Sequence, residues 1–242
     1  MAITYDDIAG MIDHSLLHPT LTDAQLIEGC EIALHYRTAS VCIKPYALPF
    51  AVSILKGSQV KIGTVVAFPH GNCDIKVKEH EARQAINDGA EELDMVINIG
   101  KALGGNWDFI EYEVMTVNQL AIDHGVLLKV ILENDFLGEE EIMEVCKICS
   151  SLKVPFVKTS TGFGFVKQPN GFYAYKGATL MDIEIMKEFI KPPTKIKAAG
   201  GIRTLDDVLL MRKIGVSRVG ATATVTILNE LKRRLANGTM KE

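Results

Sequence analysis

Four charged side chains interrupt short apolar segments that otherwise have the composition of buried strands. They are Asp94 in ELDMVIN, Lys129 in LLKVIL, Lys158 in VPFVKTS and Lys197 in KIKAAG. Strands of a parallel sheet that is covered on both faces are nearly continuous hydrophobic runs. A lone buried charge costs several kcal/mol unless it is paired or neutralised. Three lysines and one aspartate in neighbouring strand candidates therefore predict an assembled site for amine-based covalent catalysis.

Lysine chemistry gives this prediction a quantitative basis. A free lysine with a pKa near 10.4 is neutral in only about one molecule in 2,500 at pH 7. A second ammonium roughly 4 Å away contributes about 4 kcal/mol of repulsion at an effective dielectric constant near 20, which lowers the pKa by about three units. Desolvation acts in the same direction, so such an amine can attack a carbonyl and form a Schiff base. The alternative is that each lysine forms a structural ion pair with Glu92, Asp94 or Glu133.

The elements that must position these residues alternate along the chain. Eight apolar strand candidates are each followed by an amphipathic helix, which predicts an α/β fold: a single (β/α)8 barrel over residues 1–242, with a short helix at residues 5–11 before it. An open doubly wound sheet is the rival fold, but the glycine-rich turn of a dinucleotide site is missing after the first strand. The strands are predicted to begin near Ile12, Ala39, Val60, Glu92, Val126, Val154, Lys195 and Ser217, and the helices to cover residues 23–36, 48–56, 74–88, 108–124, 139–151, 179–190, 205–214 and 222–235.

Two glycine-bearing turns indicate the other half of a site. Gly200 and Gly201 begin the turn GGIRT, which also holds Arg203, after the seventh strand; Gly220 and Thr222 lie in the turn GAT after the eighth. In (β/α)8 barrels these two loops commonly bind phosphate with backbone N–H groups and a helix N-terminus. Glycine is also ordinary punctuation between a strand and a helix, and that interpretation stays open.

Composition excludes several other classes of function. The net charge of −4 provides no general attraction to nucleic acid or to an anionic membrane, and no apolar run is long enough to span one. The chain begins with a polar, acidic segment, and its five cysteines are odd in number, which predicts reduced thiols and a cytoplasmic location. Six scattered histidines form no zinc-binding pattern, so we expect no metal cofactor.

Several segments carry a family likeness over essentially the whole chain. IDHSLLHPT, SVCIKP, FPHG, ELDMVINIG, LKVILEN, FVKTSTGFG, KAAGGIRT and RVGAT occur in the order and spacing of the deoxyribose-phosphate aldolases, and the chain resembles that family. The resemblance implies a class I aldolase on a (β/α)8 barrel that uses no metal. The implied reaction is the reversible cleavage of 2-deoxy-D-ribose 5-phosphate to acetaldehyde and D-glyceraldehyde 3-phosphate.

The resemblance also implies roles for particular residues. Lys158 would be the Schiff-base lysine, Lys197 the neighbouring cation, Asp94 the proton shuttle acting through a water, and Lys129 the residue that keeps Asp94 ionised. The implied contacts to the phosphate and the rest of the substrate are Thr161, Gly162, Gly200, Gly201, Arg203, Gly220 and Thr222. Enzymes of this type are often homodimers or homotetramers.

The chain departs from the family pattern in several places, among them the segment NGTMKE, which has no terminal tyrosine. Residues 165–176 (FVKQPNGFYAYK) are an insertion after the catalytic strand, predicted either to narrow the pocket or to form a surface or subunit-contact loop. Thr222 and Ala223 replace two adjacent serines, and Asn134 replaces a threonine. The departures leave open a lysine-dependent aldolase with a different acceptor aldehyde, with or without a phosphate. A second alternative is a non-catalytic barrel that binds a phosphosugar and uses the charges only structurally.

Overall fold

The computed structural model describes residues 3–240, and eight of its strands form a closed parallel barrel. The order around the barrel is β1-β2-β3-β4-β5-β6-β9-β10, after which β10 pairs with β1. The barrel strands are β1 (Ile12–Leu16), β2 (Ser40–Ile43), β3 (Lys61–Val66), β4 (Glu92–Val96), β5 (Leu127–Ile131), β6 (Phe156–Lys158), β9 (Lys195–Ala199) and β10 (Arg218–Ala221). The predicted (β/α)8 barrel is therefore confirmed. The predicted single domain of residues 1–242 includes residues 1–2 and 241–242, which lie outside the described residues.

Helices surround the barrel, and a small hairpin interrupts the alternation. The helices are α1 (Tyr5–Ala9), α2 (Asp23–Tyr36), α3 (Leu48–Leu55), α4 (Ile75–Asn87), α5 (Ile99–Leu103), α6 (Trp107–Asp123), α7 (Glu139–Ser151), α8 (Leu180–Phe189), α9 (Leu205–Lys213) and α10 (Thr224–Ala236). The antiparallel hairpin consists of β7 (Val166–Lys167) and β8 (Tyr173–Ala174). No helix within residues 3–240 is both long and apolar enough to cross a membrane.

The predicted element boundaries differ from the observed ones at the strand starts. Val60 and Val154 were placed in strands but lie just before β3 and β6. Both side chains are buried in the hydrophobic core, and composition alone does not separate a packed loop residue from a strand residue. The first helix ends at Ala9 rather than at residue 11. Helix α5 and the hairpin were not predicted.

Strand alternation divides the barrel into an apolar outer surface and a charged interior. In β4, Leu93 and Met95 belong to the hydrophobic core beneath the helices, whereas the intervening Asp94 does not. Parallel pairing sets Asp94 beside Lys129 and Lys158 beside Lys197. Because side chains on paired strands point to the same face at the same register, the four predicted charges project into one interior.

Candidate active site

The four charges singled out in the sequence meet at Asp94. The Nζ atoms of Lys158 and Lys197 each lie 2.7 Å from Asp94 Oδ2. Lys129 Nζ lies 2.9 Å from Asp94 Oδ1 and 2.6 Å from Glu92 Oε2. All four of the predicted side chains are at most 4% exposed. The strands thus bring one carboxylate into direct contact with three lysines.

Two further charged residues complete the network, and sequence reasoning missed both. Asp13 of β1 forms ion pairs with Lys197, at 2.5 Å, and with Arg218 of β10. Arg218 also reaches Glu92 Oε1 at 2.6 Å. The available signal was the one already used for the lysines, a charged residue inside an apolar strand candidate.

The balance of charge in this network identifies Lys158 as its labile proton donor. Three carboxylates face four cations, so a net positive charge remains if every group is ionised. Buried net charge is unfavourable, and release of one proton makes the network neutral. Lys197 touches two carboxylates and Lys129 three, whereas Lys158 touches Asp94 alone. Lys158 therefore loses the least electrostatic stabilisation when it becomes neutral.

The pKa shifts also distinguish Lys158 from Lys129 and Lys197. Burial lowers the pKa of the Lys158 amine below its usual value; the Asp94 carboxylate opposes the change and the Lys197 ammonium adds to it. Burial also acts on Lys129 and Lys197, but the carboxylates around them outweigh it and raise both pKa values. For Asp94, burial opposes ionisation, yet the three lysines hold its pKa well below the usual range. Lys158 is thus predisposed to be the neutral amine beside an ionised Asp94.

This electrostatic arrangement modifies the sequence-based explanation without changing its result. The sequence predicts that a neighbouring ammonium is the main cause of the lowered Lys158 pKa. Desolvation of the buried amine is the largest cause of the lowered pKa. The Lys197 ammonium lowers the pKa by less than the Asp94 carboxylate raises it. The ion pairs of the alternative interpretation are also present, since each of the three lysines pairs with Glu92 or Asp94. No lysine within residues 3–240 pairs with Glu133.

A cavity of about 520 Å³ opens above the network and ends at the predicted phosphate turns. Lys158, Lys197 and Asp13 lie among its lining residues, whereas Asp94 and Lys129 lie beneath them. All seven predicted substrate contacts line the same cavity: Thr161, Gly162, Gly200, Gly201, Arg203, Gly220 and Thr222. The structure therefore brings the predicted substrate contacts together with Lys158 and Lys197, and the role of each residue stays a prediction.

The two helices that follow the glycine turns differ in what they offer an anion. The start of α9 is already capped, because Asp207 accepts hydrogen bonds from the backbone N–H groups of Arg203 and Thr204. At the start of α10, no side chain among the described residues caps the helix at Ala223. Unpaired N–H groups at a helix start carry a partial positive charge. The turn after β10 is thus better prepared to bind phosphate than the first turn of α9.

The inserted segment forms the hairpin and contributes aromatic side chains to the cavity. Phe165 and Tyr175 line the cavity and pack edge to face, with their ring centroids 5.3 Å apart. Gly177 contacts Gly200 so closely that a Cβ on Gly177 would lie 2.7 Å from the Gly200 backbone. Asp135 accepts hydrogen bonds from the backbone N–H groups of Lys176 and Gly177. The insertion is therefore anchored beside the turn that holds Gly200, and two of its aromatic side chains form part of the cavity wall.

Cys42 and His14 are buried side chains near the site whose pKa shifts favour their neutral forms. Cys42 lines the cavity, its Sγ lies 3.9 Å from Asp94 Oδ2, and burial raises the pKa of its thiol to about 11. His14 is paired with the hydroxyl of Thr224 at 2.8 Å, and burial lowers its pKa to about 4. Residues 3–240 contain no group of three or more side chains arranged to hold a metal ion.

Comparisons with known proteins agree with this geometry. The model of the DeoC/LacD family aldolases matches residues 8–230. The deoxyribose-phosphate aldolase of Rhodopirellula baltica is 44% identical over 231 residues, which cover 96% of this chain and 92% of that protein. The deoxyribose-phosphate aldolase of Clostridium kluyveri is 43% identical over 225 residues, covering 93% and 98%. The tetrameric deoxyribose phosphate aldolase of Aeropyrum pernix superimposes with a TM-score of 0.83 at 26% identity, covering 95% and 92% of the two chains. The protein therefore belongs to the DeoC/LacD family of aldolases.

Proposed function

We propose that the protein is a class I aldolase that reversibly cleaves 2-deoxy-D-ribose 5-phosphate to acetaldehyde and D-glyceraldehyde 3-phosphate. The observation that carries the proposal is the position of Lys158, a buried amine at the end of β6 that shares Asp94 Oδ2 with Lys197. Its deprotonation neutralises the network around it. The family relationship and the identity of the relatives support the same reaction.

The first half of the reaction uses Lys158 and Asp94. Neutral Lys158 Nζ attacks the aldehyde carbon of the open-chain sugar, and the alkoxide that forms takes a proton. Asp94 and the ammonium of Lys197, which donates to it, provide an acid–base pair beside that oxygen. Loss of water then gives the protonated imine. Lys129 holds Asp94 ionised through the bond to Oδ1.

The second half breaks a carbon–carbon bond. The hydroxyl on the third carbon of the sugar loses its proton, the bond between the second and third carbons breaks, and the electron pair moves into the imine to give an enamine. Glyceraldehyde 3-phosphate leaves with the new carbonyl. The enamine takes a proton on its terminal carbon, and water hydrolyses the resulting imine to acetaldehyde and free Lys158.

The phosphate end is the part of the proposal that this chain alters most. Gly200 and Gly201 both have positive φ angles, which turn the backbone after β9 toward the cavity. Arg203 contributes a cation and Thr222 a hydroxyl to the same wall. With Ala223 in place of a second hydroxyl, the backbone N–H groups at the start of α10 carry more of the binding.

The test is a cleavage assay with two sugars, with acetaldehyde and the triose product measured separately. We expect release of both products from 2-deoxyribose 5-phosphate, and activity that persists after incubation with a chelator, since no metal takes part. Equal cleavage of plain 2-deoxyribose would favour the unphosphorylated acceptor, which the aromatic hairpin and Ala223 make the second candidate. No cleavage of either sugar, with retained binding of the phosphate ester, would contradict the aldolase and favour the non-catalytic barrel.

Assembly and location belong to the same proposal. We infer a homodimer or homotetramer, supported by the tetrameric relative from Aeropyrum pernix. Light scattering coupled to size exclusion tests this, and a monomer at micromolar concentration would contradict it. A cytoplasmic location, with the five thiols reduced, stays a prediction from the sequence; the cysteines of the described residues are all free.

A further inference from the structure

One buried carboxyl in the site lies outside the charge network. Glu133 follows β5 and is 1% exposed. Within residues 3–240 it forms no ion pair; its partners are the backbone N–H of Thr161, at 3.2 Å, and the hydroxyl of the same residue. A buried carboxyl without a counter-ion is unfavourable. Such a group needs an explanation beyond packing.

The backbone around Glu133 is shaped to keep this carboxyl against Thr161. Glu133 itself has a φ of 61°, a left-handed conformation that is uncommon for a residue with a side chain. Gly164 passes so close that a Cβ there would lie 2.8 Å from the carboxyl group. The chain after β6 therefore passes so close to Glu133 that position 164 has room only for glycine. Strain of this kind is characteristic of functional sites.

The hydrogen bonds that the Thr161 hydroxyl makes within the described residues leave one of its acceptor positions free. The Thr161 hydroxyl donates to Glu133 Oε2 and accepts from the backbone N–H of Phe163, at 2.9 Å. A hydroxyl oxygen has two lone pairs, so one acceptor position remains. Thr161 lines the same cavity as Lys158, three residues earlier in the chain. A substrate hydroxyl is therefore the natural donor to the remaining lone pair.

We propose that Glu133 is a positioning residue that makes Thr161 the proton acceptor in the carbon–carbon cleavage step. The inference rests on the proposed aldolase function. As the bond between the second and third sugar carbons breaks into the enamine, the hydroxyl on the third carbon passes its proton to Thr161 Oγ1. The original Thr161 proton moves at the same time to Glu133 Oε2. In the synthetic direction both protons return along the same path, so atoms and charge balance.

The electrostatics of Glu133 suit this role. Burial raises the pKa of the Glu133 carboxyl to about 7. The hydrogen bonds from Thr161 act in the opposite direction but do not outweigh burial. Among the charged neighbours, Asp135 raises the pKa and Lys158 lowers it. A group with a pKa near the working pH can both take up and return a proton. Asp94, held well below its usual pKa by three lysines, is suited to a different step.

The test separates cleavage from the chemistry that precedes it. In deuterium oxide, an enzyme that forms the enamine exchanges the methyl protons of acetaldehyde without breaking a carbon–carbon bond, and proton NMR follows this exchange. In Glu133→Gln we expect kcat for cleavage to fall about 100-fold, the lower end of the range for a general base, while exchange changes by less than about threefold. A purely structural role would lower both rates together.

Three comparisons make the result decisive. Glu140→Gln is the matched control, because this exposed carboxylate on α7 forms no ion pair among the described residues, and we expect its ratio of cleavage to exchange to equal that of the wild type. If Glu133→Gln fails to fold, Thr161→Val and Thr161→Ser replace it, and only the valine variant should lower the ratio. A parallel fall of both rates, or an unchanged ratio, would overturn the proposal. A wild type that neither exchanges nor cleaves would instead refute the aldolase itself.

Discussion

The interior of the barrel and the rim of its cavity are built in different ways. Interior charges lie on strands, are almost completely buried and contact one another directly, as Lys129, Asp94 and Lys197 do. Rim groups lie in loops, and Arg203 and Phe165 are exposed. Strand pairing fixes the relative positions of the interior groups, whereas each rim group depends on its own loop. We therefore expect the interior to carry the Schiff-base chemistry and the rim to select the substrate.

This contrast has an energetic consequence. Removing one partner from a buried ion network leaves an unpaired charge and costs about 3–5 kcal/mol. Removing a single contact at an exposed rim changes binding by a much smaller amount and leaves the fold intact. Substitutions in the interior should therefore have larger effects than substitutions at the rim.

The largest effect is expected for Lys158→Ala. Without the nucleophile no Schiff base forms, and kcat/KM should fall by at least about 10⁴-fold, or about 5.5 kcal/mol of activation free energy. The exposed Lys153 is the matched control, and Lys153→Met should retain wild-type activity. Steady-state cleavage kinetics measure both. Substantial activity in Lys158→Ala would assign the nucleophile to another lysine.

Asp13→Asn should produce the largest loss of stability. Lys197 and Arg218 lose a buried carboxylate, which lowers the free energy of unfolding at pH 7 by about 3–5 kcal/mol. The lysines and Arg218 overcome the burial of Asp13 and lower its folded pKa. Its stabilising effect is therefore complete above the unfolded pKa of about 3.9 and is lost as the pH falls toward the folded value.

Denaturant unfolding at two pH values tests this. The difference between wild type and Asp13→Asn should be smaller at pH 3 than at pH 7. Asp6→Asn is the surface control, because the Asp6–Arg37 ion pair is exposed, and no measurable change is expected there. Equal losses in the free energy of unfolding for Asp13→Asn and Asp6→Asn would contradict the distinction between interior and surface charges.

Lys197→Leu should move the pH dependence of the reaction. Activity requires neutral Lys158, whose pKa lies below its usual value, so kcat/KM rises with pH through that lowered pKa. Deleting the Lys197 ammonium removes its repulsion of the Lys158 ammonium. It also leaves the Asp94 carboxylate with one cationic partner fewer, and both changes raise the Lys158 pKa. The rising limb should shift to higher pH by about one unit or more. A limb that stays in place would mean that burial alone sets this pKa.

The smallest effect is expected at the hairpin. Phe165→Ala removes an aromatic wall of the cavity and its contact with Tyr175, and KM for 2-deoxyribose 5-phosphate should rise about two- to fivefold with little change in kcat. Phe172, 74% exposed in the hairpin segment, is the control, and Phe172→Ala should leave KM unchanged. A large fall in kcat for Phe165→Ala would place the hairpin in the chemical steps.

The sequence predicted the interior better than the rim because charge inside an apolar strand is a physical anomaly that can be read from composition. That rule found Asp94 and Lys158, and a stricter use of it would have found Asp13 in IDHSL and Arg218 in RVGA. The same rule does not reach Glu133, whose role depends on a left-handed backbone and on the close approach of Gly164.

At the rim, the glycine turns could be predicted because they follow predicted strands. The hydrogen bonds within these turns could not. The cap formed by Asp207 at the start of α9, and the missing cap at Ala223, are matters of side-chain geometry. Strands of two residues, as in the hairpin, have no hydrophobic period to detect. The insertion was therefore recognised, while its structure was not.

The most direct test of the central claim is borohydride trapping followed by peptide mass mapping. The protein is incubated with 2-deoxyribose 5-phosphate, reduced with sodium borohydride and digested. We predict an ethyl adduct on Lys158, because cleavage leaves the two-carbon fragment as the imine that borohydride reduces. Lys129 and Lys197, whose raised pKa values keep them charged, should carry none. An adduct on either of these lysines, or no adduct on any, would contradict the assignment of Lys158 as the neutral amine of the network.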